Sequence, residues 1–118
     1  MVSYIVILQN DTDIKLKVGS LGRVTFRAGY YYYVGSANNG VHRIRRHFAE
    51  KKATRWHIDY ISSIMCAIGA VILKESECNV ALKLGEVLEG IRNFGCSDCR
   101  CWSHLFYSPN LTLEFLST

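Results

Sequence analysis

Residues 3–9, SYIVILQ, are β-branched and apolar, the pattern of a buried strand. Residues 14–18, IKLKV, alternate strictly between apolar and charged positions and predict a strand with one wet face. Gly19 and Gly22 mark a turn, after which 23–29, RVTFRAG, reads as a short strand. Tyr30 to Val34 predicts a further strand, because aromatics favour a pleated, half-buried surface, and Gly35 is expected to end it. Asn38-Asn39-Gly40 then has the composition of a helix start. Beyond it Val41, Ile44 and Phe48 share one helical face, with Arg43, Arg46 and His47 on the other. A second helix is expected over 55–64, a buried strand over 67–75, and a helix over 77–91. The apolar face of that last helix includes Val80, Leu84, Val87 and Leu88. The tail is GCSDCRCWSHLFY (95–107), then a proline turn and LTLEFL. This order predicts a small α/β (α+β) layer domain, with a largely antiparallel sheet and helices packed on it.

The 118 residues suit one domain spanning 1–118 with a Cys-rich tail, and 49% hydrophobic content provides an ordinary core. No repeat or low-complexity stretch divides the chain. The start lacks the basic and small-residue features of a signal peptide, and no apolar run reaches membrane-span length. With five cysteines, an odd count, the expectation is a reducing cytoplasm and no fully paired disulfide framework. The net charge of +4 is uneven. Lys15, Lys17, Arg23, Arg27, Arg43, Arg45, Arg46, Lys51, Lys52 and Arg55 lie within residues 1–55, opposed there by Asp11, Asp13 and Glu50. Such a segment either forms a solvated basic surface or binds a polyanion through counterion release.

The densest chemistry is GYYYYVGSANNGVHRIRRH, residues 29–47. Strand alternation points Tyr31 and Tyr33 one way and Tyr30 and Tyr32 the other. A helix after the glycine would set Arg43 and His47 one turn apart on one polar face. A phenol can relay a proton, and a guanidinium can hold a phosphate and neutralise charge that grows during its displacement. Phosphodiester cleavage uses both. Ordinary sheet aromatics and surface cations are the alternative.

The same residues resemble the GIY-YIG nuclease superfamily, and within it the compact Uri-type branch. That superfamily has a tyrosine on its first strand, matched by Tyr4 in VSYIVIL, where Val-Ser-Tyr replaces Gly-Ile-Tyr. Its tyrosine-x-glycine is matched by Tyr33-Val34-Gly35, and the arginine ten positions on is Arg43. His47 falls where relatives can carry a histidine, and Glu77 is the nearest match to the metal-binding glutamate, with Glu75 and Glu86 as competitors. The likeness spans nearly the whole chain and includes RIRRHF, WHIDY and the cysteine tail.

The resemblance implies one-metal phosphodiester hydrolysis. Glu77 would hold Mg²⁺ or Mn²⁺, Tyr33 or Tyr4 would act as general base or relay, Arg43 would clamp the phosphate, and His47 would orient or trade protons. Arg45, Arg46, Lys51, Lys52 and Arg55 would be backbone-positioning contacts, with nucleic acid, in the first place DNA, and a DNA-repair protein as partners. The membrane is not among the expected partners.

In WHIDY, His57 and Asp59 point apart on a helix, so His57 is either a packed, hydrogen-bonded histidine or a residue lining the site. Cys96, Cys99, Cys101 and His104 lie within nine positions. They can wrap a tetrahedral Zn²⁺, and a disulfide or buried free thiols are the alternatives. Cys66 and Cys78 sit in apolar stretches and are expected in the core. Three functions follow: a metal-dependent endonuclease, a non-catalytic nucleic-acid-binding module on the same fold, or a zinc-stabilised interaction domain.

Overall fold

The computed structural model describes residues 2–36, 61, 64–92, 94 and 103–113. The helices expected after Asn38 and over 55–64 lie outside these residues, apart from Ile61, which is helical and buried, and Ile64. The described fold is α+β, with a wholly antiparallel main sheet.

Two strands take the enclosed central positions of the sheet. β1 (Ser3–Asn10) and β4 (Gly29–Ser36) pair along their full length, from Ser3 with Ser36 to Asn10 with Gly29. Seven of the eight residues of β1 and five of the eight of β4 are buried, so both faces of the sheet are covered here. β5 (Cys66–Leu73) flanks β1, and β7 (Leu105–Ser108) flanks β4 and carries the two-residue β6 (Glu89–Gly90). The sheet order is therefore β5-β1-β4-β7-β6.

Between β1 and β4 the chain makes a separate two-stranded ribbon, β2 (Ile14–Lys17) and β3 (Arg23–Phe26). Its base is tied to the main sheet by polar contacts. The Asn10 amide donates to the carbonyls of Phe26 and Arg27, and Asp13 accepts from the Ala28 N–H at 2.7 Å. The ribbon's inner residues Ile14, Leu16, Val18, Val24 and Phe26 pack into the core that holds Tyr4, Tyr31 and Tyr33. On the opposite face, helix α1 (Glu77–Val87) covers Ile5, Ile7, Tyr32 and Val34 with Val80, Ala81 and Leu84. The layers are ribbon, sheet and helix. The helix begins where Ser76 accepts a hydrogen bond from the Asn79 N–H, a side-chain N-cap, with Glu77 favourably placed in the first turn.

The four tyrosines alternate as expected, yet neither pair lines an open surface. Tyr31 and Tyr32 are both fully buried, one in each core. The Tyr31 hydroxyl donates to the Arg27 carbonyl. Tyr32 both donates to the Thr112 carbonyl and accepts from the Thr112 N–H, which pins the segment after β7. Burial pushes both phenols up from their ordinary range.

Three expectations are corrected. The strand over 67–75 is not buried: β5 is an edge strand, with Ile68 and Ile72 exposed, and an irregularity in its pairing opposite Ile7 and Leu8. The helix ends at Val87, which faces solvent, and Ala81 takes a place on the packed face. Cys66 is exposed and Cys78 half-buried, so neither is a core thiol. No helix among the described residues is long and apolar enough to cross a membrane.

Candidate functional site

Tyr4 and Tyr33 stand on adjacent central strands and point to the ribbon side of the sheet. Their ring centroids are 6.4 Å apart at an interplanar angle of 53°. Tyr33 also meets Phe94 edge-on at 6.3 Å. Both side chains are largely enclosed, Tyr4 at 2% exposure and Tyr33 at 9%. The phenols are thus held by packing, with little rotamer freedom left.

Gly35 owes its place to space and not to a turn. The strand continues through Ser36, and Gly35 is the direct cross-strand partner of Tyr4. A Cβ on Gly35 would stand 2.3 Å from both Cζ and Oη of Tyr4. The Tyr4 ring therefore lies over the bare glycine backbone. This is why a tyrosine on the first strand and a tyrosine-x-glycine on its neighbour form one unit.

Glu77 comes together with a different residue. Its Oε2 lies 3.8 Å from Nδ1 of His104, beyond direct hydrogen-bond reach. His104 is brought there by β7: its carbonyl accepts from the Val34 N–H, and its own N–H donates to the Phe94 carbonyl. Burial holds the imidazole below its ordinary range, although the Glu77 carboxylate and a hydrogen bond to the Val34 backbone both oppose that shift. The ring is neutral near pH 7, so the pair is not a salt bridge there. α1 packs on the sheet face opposite the one to which Tyr4 and Tyr33 point. Glu77 and the tyrosines therefore approach one end of the sheet from its two faces, and Glu77 is not on the tyrosine face.

The competing carboxylates are otherwise engaged or exposed. Glu75 pairs with Lys83 at 2.7 Å, and Glu86 lies on the outer side of α1. Arg43, Arg45, Arg46, His47, Lys51, Lys52, Arg55, His57, Cys96, Cys99 and Cys101 lie outside the described residues. Among the described residues no group of three or more His, Cys, Asp or Glu side chains is placed to hold a metal ion.

Residues 3–117 match the model of a domain of unknown function, DUF123. The chain belongs to the DUF123 family. No curated protein and no solved structure matches it. The match covers the tyrosine pair and the Glu77–His104 pair alike, so both belong to this DUF123 domain's own fold.

The His104 environment is expected to make the stability of this domain depend on pH. The unfolded ring takes up a proton near pH 6.5, while the folded ring resists it. The contribution is complete above about pH 6.5 and is lost as pH falls toward the depressed folded value. We expect the urea midpoint to drop between pH 7.5 and pH 5.5, and the drop to shrink in His104→Gln. An unchanged drop in that variant would assign the pH dependence to other groups.

In sequence Glu77 reads as a metal ligand, and His104 as part of a cysteine cluster with zinc, a disulfide or free thiols as its alternatives. The approach of one to the other depends on β7 lying beside β4, and no local pattern announces it.

Proposed function

We propose that this DUF123 domain is a divalent-metal-dependent endonuclease of the GIY-YIG type, hydrolysing phosphodiester bonds in nucleic acid during DNA repair or processing in the cytoplasm. The observation that carries this reading is the Tyr4–Tyr33–Gly35 unit: two phenols 6.4 Å apart, one laid over the glycine of the tyrosine-x-glycine motif. It gives a physical reason for residues that the resemblance had linked only by order.

Glu77 is the residue that would hold the metal. Its carboxylate is one-third exposed at the head of α1, which fits an ion such as Mg²⁺ or Mn²⁺ that keeps most of its waters. Bound there, the ion supplies positive charge to the phosphate and its leaving oxygen. Tyr33, or Tyr4, would take the proton of the attacking water as its phenolate, or relay it as the phenol by accepting that proton while passing its own to solvent. Arg43 clamps the phosphate as charge builds on its oxygens, and His47 orients or exchanges a proton. Arg45, Arg46, Lys51, Lys52 and Arg55 hold the sugar–phosphate backbone without reading sequence.

The test is cleavage of single-stranded, duplex and branched DNA and RNA with Mg²⁺ or Mn²⁺, against a chelator control. Arg43→Ala is expected to slow cleavage by about 10²–10³-fold while keeping most of the binding. Cutting by Arg43→Ala at the native rate would sink the assignment.

A second reading, binding without cutting, has its own observation. The helix that carries Glu77 packs on the face opposite the tyrosines. Salt-sensitive binding with no metal-dependent cleavage would select this reading.

A further inference from the structure

The β2–β3 ribbon has two unlike faces. Inward it is wholly apolar, with Ile14, Leu16, Val24 and Phe26 in the core. Outward it presents Lys15, Lys17, Arg23 and Thr25, all exposed. The register sets Lys15 opposite Thr25 and Lys17 directly opposite Arg23. Like charges directly across an antiparallel pair repel, and they destabilise the ribbon unless an anion lies between them.

No such anion comes from the described residues. The ion pairs there join Arg27 to Glu89 and Lys83 to Glu75, and none reaches Lys15, Lys17 or Arg23. Asp13, at the ribbon's base, accepts from the Ala28 N–H. Among the described residues the three cations therefore form an uncompensated stripe, on a ribbon whose other face is fixed in the core. Local conflict of this kind is expected where a surface serves binding.

We propose that the outer face of the β2–β3 ribbon is a phosphate-contacting surface for nucleic acid, separate from the residues assigned to cleavage. It rests on the nucleic-acid reading above and adds to it. The ribbon lies on the side of the sheet to which Tyr4 and Tyr33 point. The ribbon springs from the Asn10–Gly29 end of the β1–β4 pair, and a backbone that crosses it is held on that side of the sheet. Lys15, Lys17 and Arg23 meet phosphates and carry no sequence preference.

The experiment measures binding of a fluorescent duplex DNA of about 20 base pairs against salt concentration. Native protein is compared with Lys15→Gln/Lys17→Gln/Arg23→Gln, and with Thr25→Lys. Each phosphate contact contributes about 0.9 to the slope of log affinity against log salt. The triple variant is expected to lose about two to three from the magnitude of that slope, and Thr25→Lys to gain about one. Thermal unfolding of the triple variant, expected at or above the native midpoint, shows that the ribbon is folded. Native binding with an unchanged slope in both variants would overturn the ribbon's role and leave the proposed function standing. Absence of salt-sensitive binding by the native protein would overturn both.

Discussion

Tyr33→Phe is expected to slow the proposed cleavage by about 10²–10⁴-fold, the range for loss of a positioned proton-transfer group. The substitution keeps the ring. Tyr33 meets Tyr4 at 6.4 Å and Phe94 at 6.3 Å through carbon atoms that phenylalanine also has. Only the hydroxyl is removed, so the stability change should stay below about 1.5 kcal/mol. Tyr31→Phe is the control. Its hydroxyl donates to the Arg27 carbonyl in the same core, and its loss should cost about 1 kcal/mol with no effect on rate. Single-turnover cleavage and urea unfolding of the two variants separate chemistry from packing. A native rate in Tyr33→Phe would move the proton relay to Tyr4 and remove Tyr33 from the mechanism.

The other large effect is expected at Gly35. An alanine methyl would stand 2.3 Å from Cζ and Oη of Tyr4, well inside any real contact. The obstacle is an enclosed aromatic ring, 2% exposed and packed against Tyr33, so it cannot swing into solvent. Gly35→Ala should cost about 1–3 kcal/mol through overpacking. A phenol displaced by about an ångström should also lower cleavage by about 10²-fold. Because Cζ is as close as Oη, adding Tyr4→Phe gives no relief. Adding Tyr4→Leu frees the space, and the double variant should lose less stability than the sum of the two single losses, without recovering cleavage. Additive losses in that cycle would show that the two residues do not meet.

Much of the sheet was legible in the chain. The apolar run at Ser3–Asn10 and the tyrosines at Gly29–Ser36 announced strands, and alternation assigned each tyrosine to its face. The strand at Cys66–Leu73 shows where such reading stops. CAIGAVIL carries no charge, so its composition is that of an interior strand, but topology sets it at the sheet edge with Ile68 and Ile72 in solvent. Periodicity reports which residues share a face and is silent about what covers that face. The same limit applies at Gly35, expected as a strand end and found inside the strand under Tyr4. Within the candidate site, Tyr4 and Tyr33 follow from their motifs. The Glu77–His104 approach does not, because it joins the start of α1 to a residue beside β4 through long-range topology.

The position of β7 bears on how the chain is made. β4 is complete once residue 36 has been synthesised, but its second neighbour, Leu105–Ser108, emerges about seventy residues later. Until then the growing chain carries an open edge along Tyr30–Tyr33, among its most aromatic stretches. β6 has no sheet to join before β7 arrives, and Tyr32 has no Thr112 to hold. Translation thus leaves this sheet unfinished until the four residues of β7 are made. Pausing on the ribosome ahead of that point exposes an edge strand able to pair with a neighbouring nascent copy.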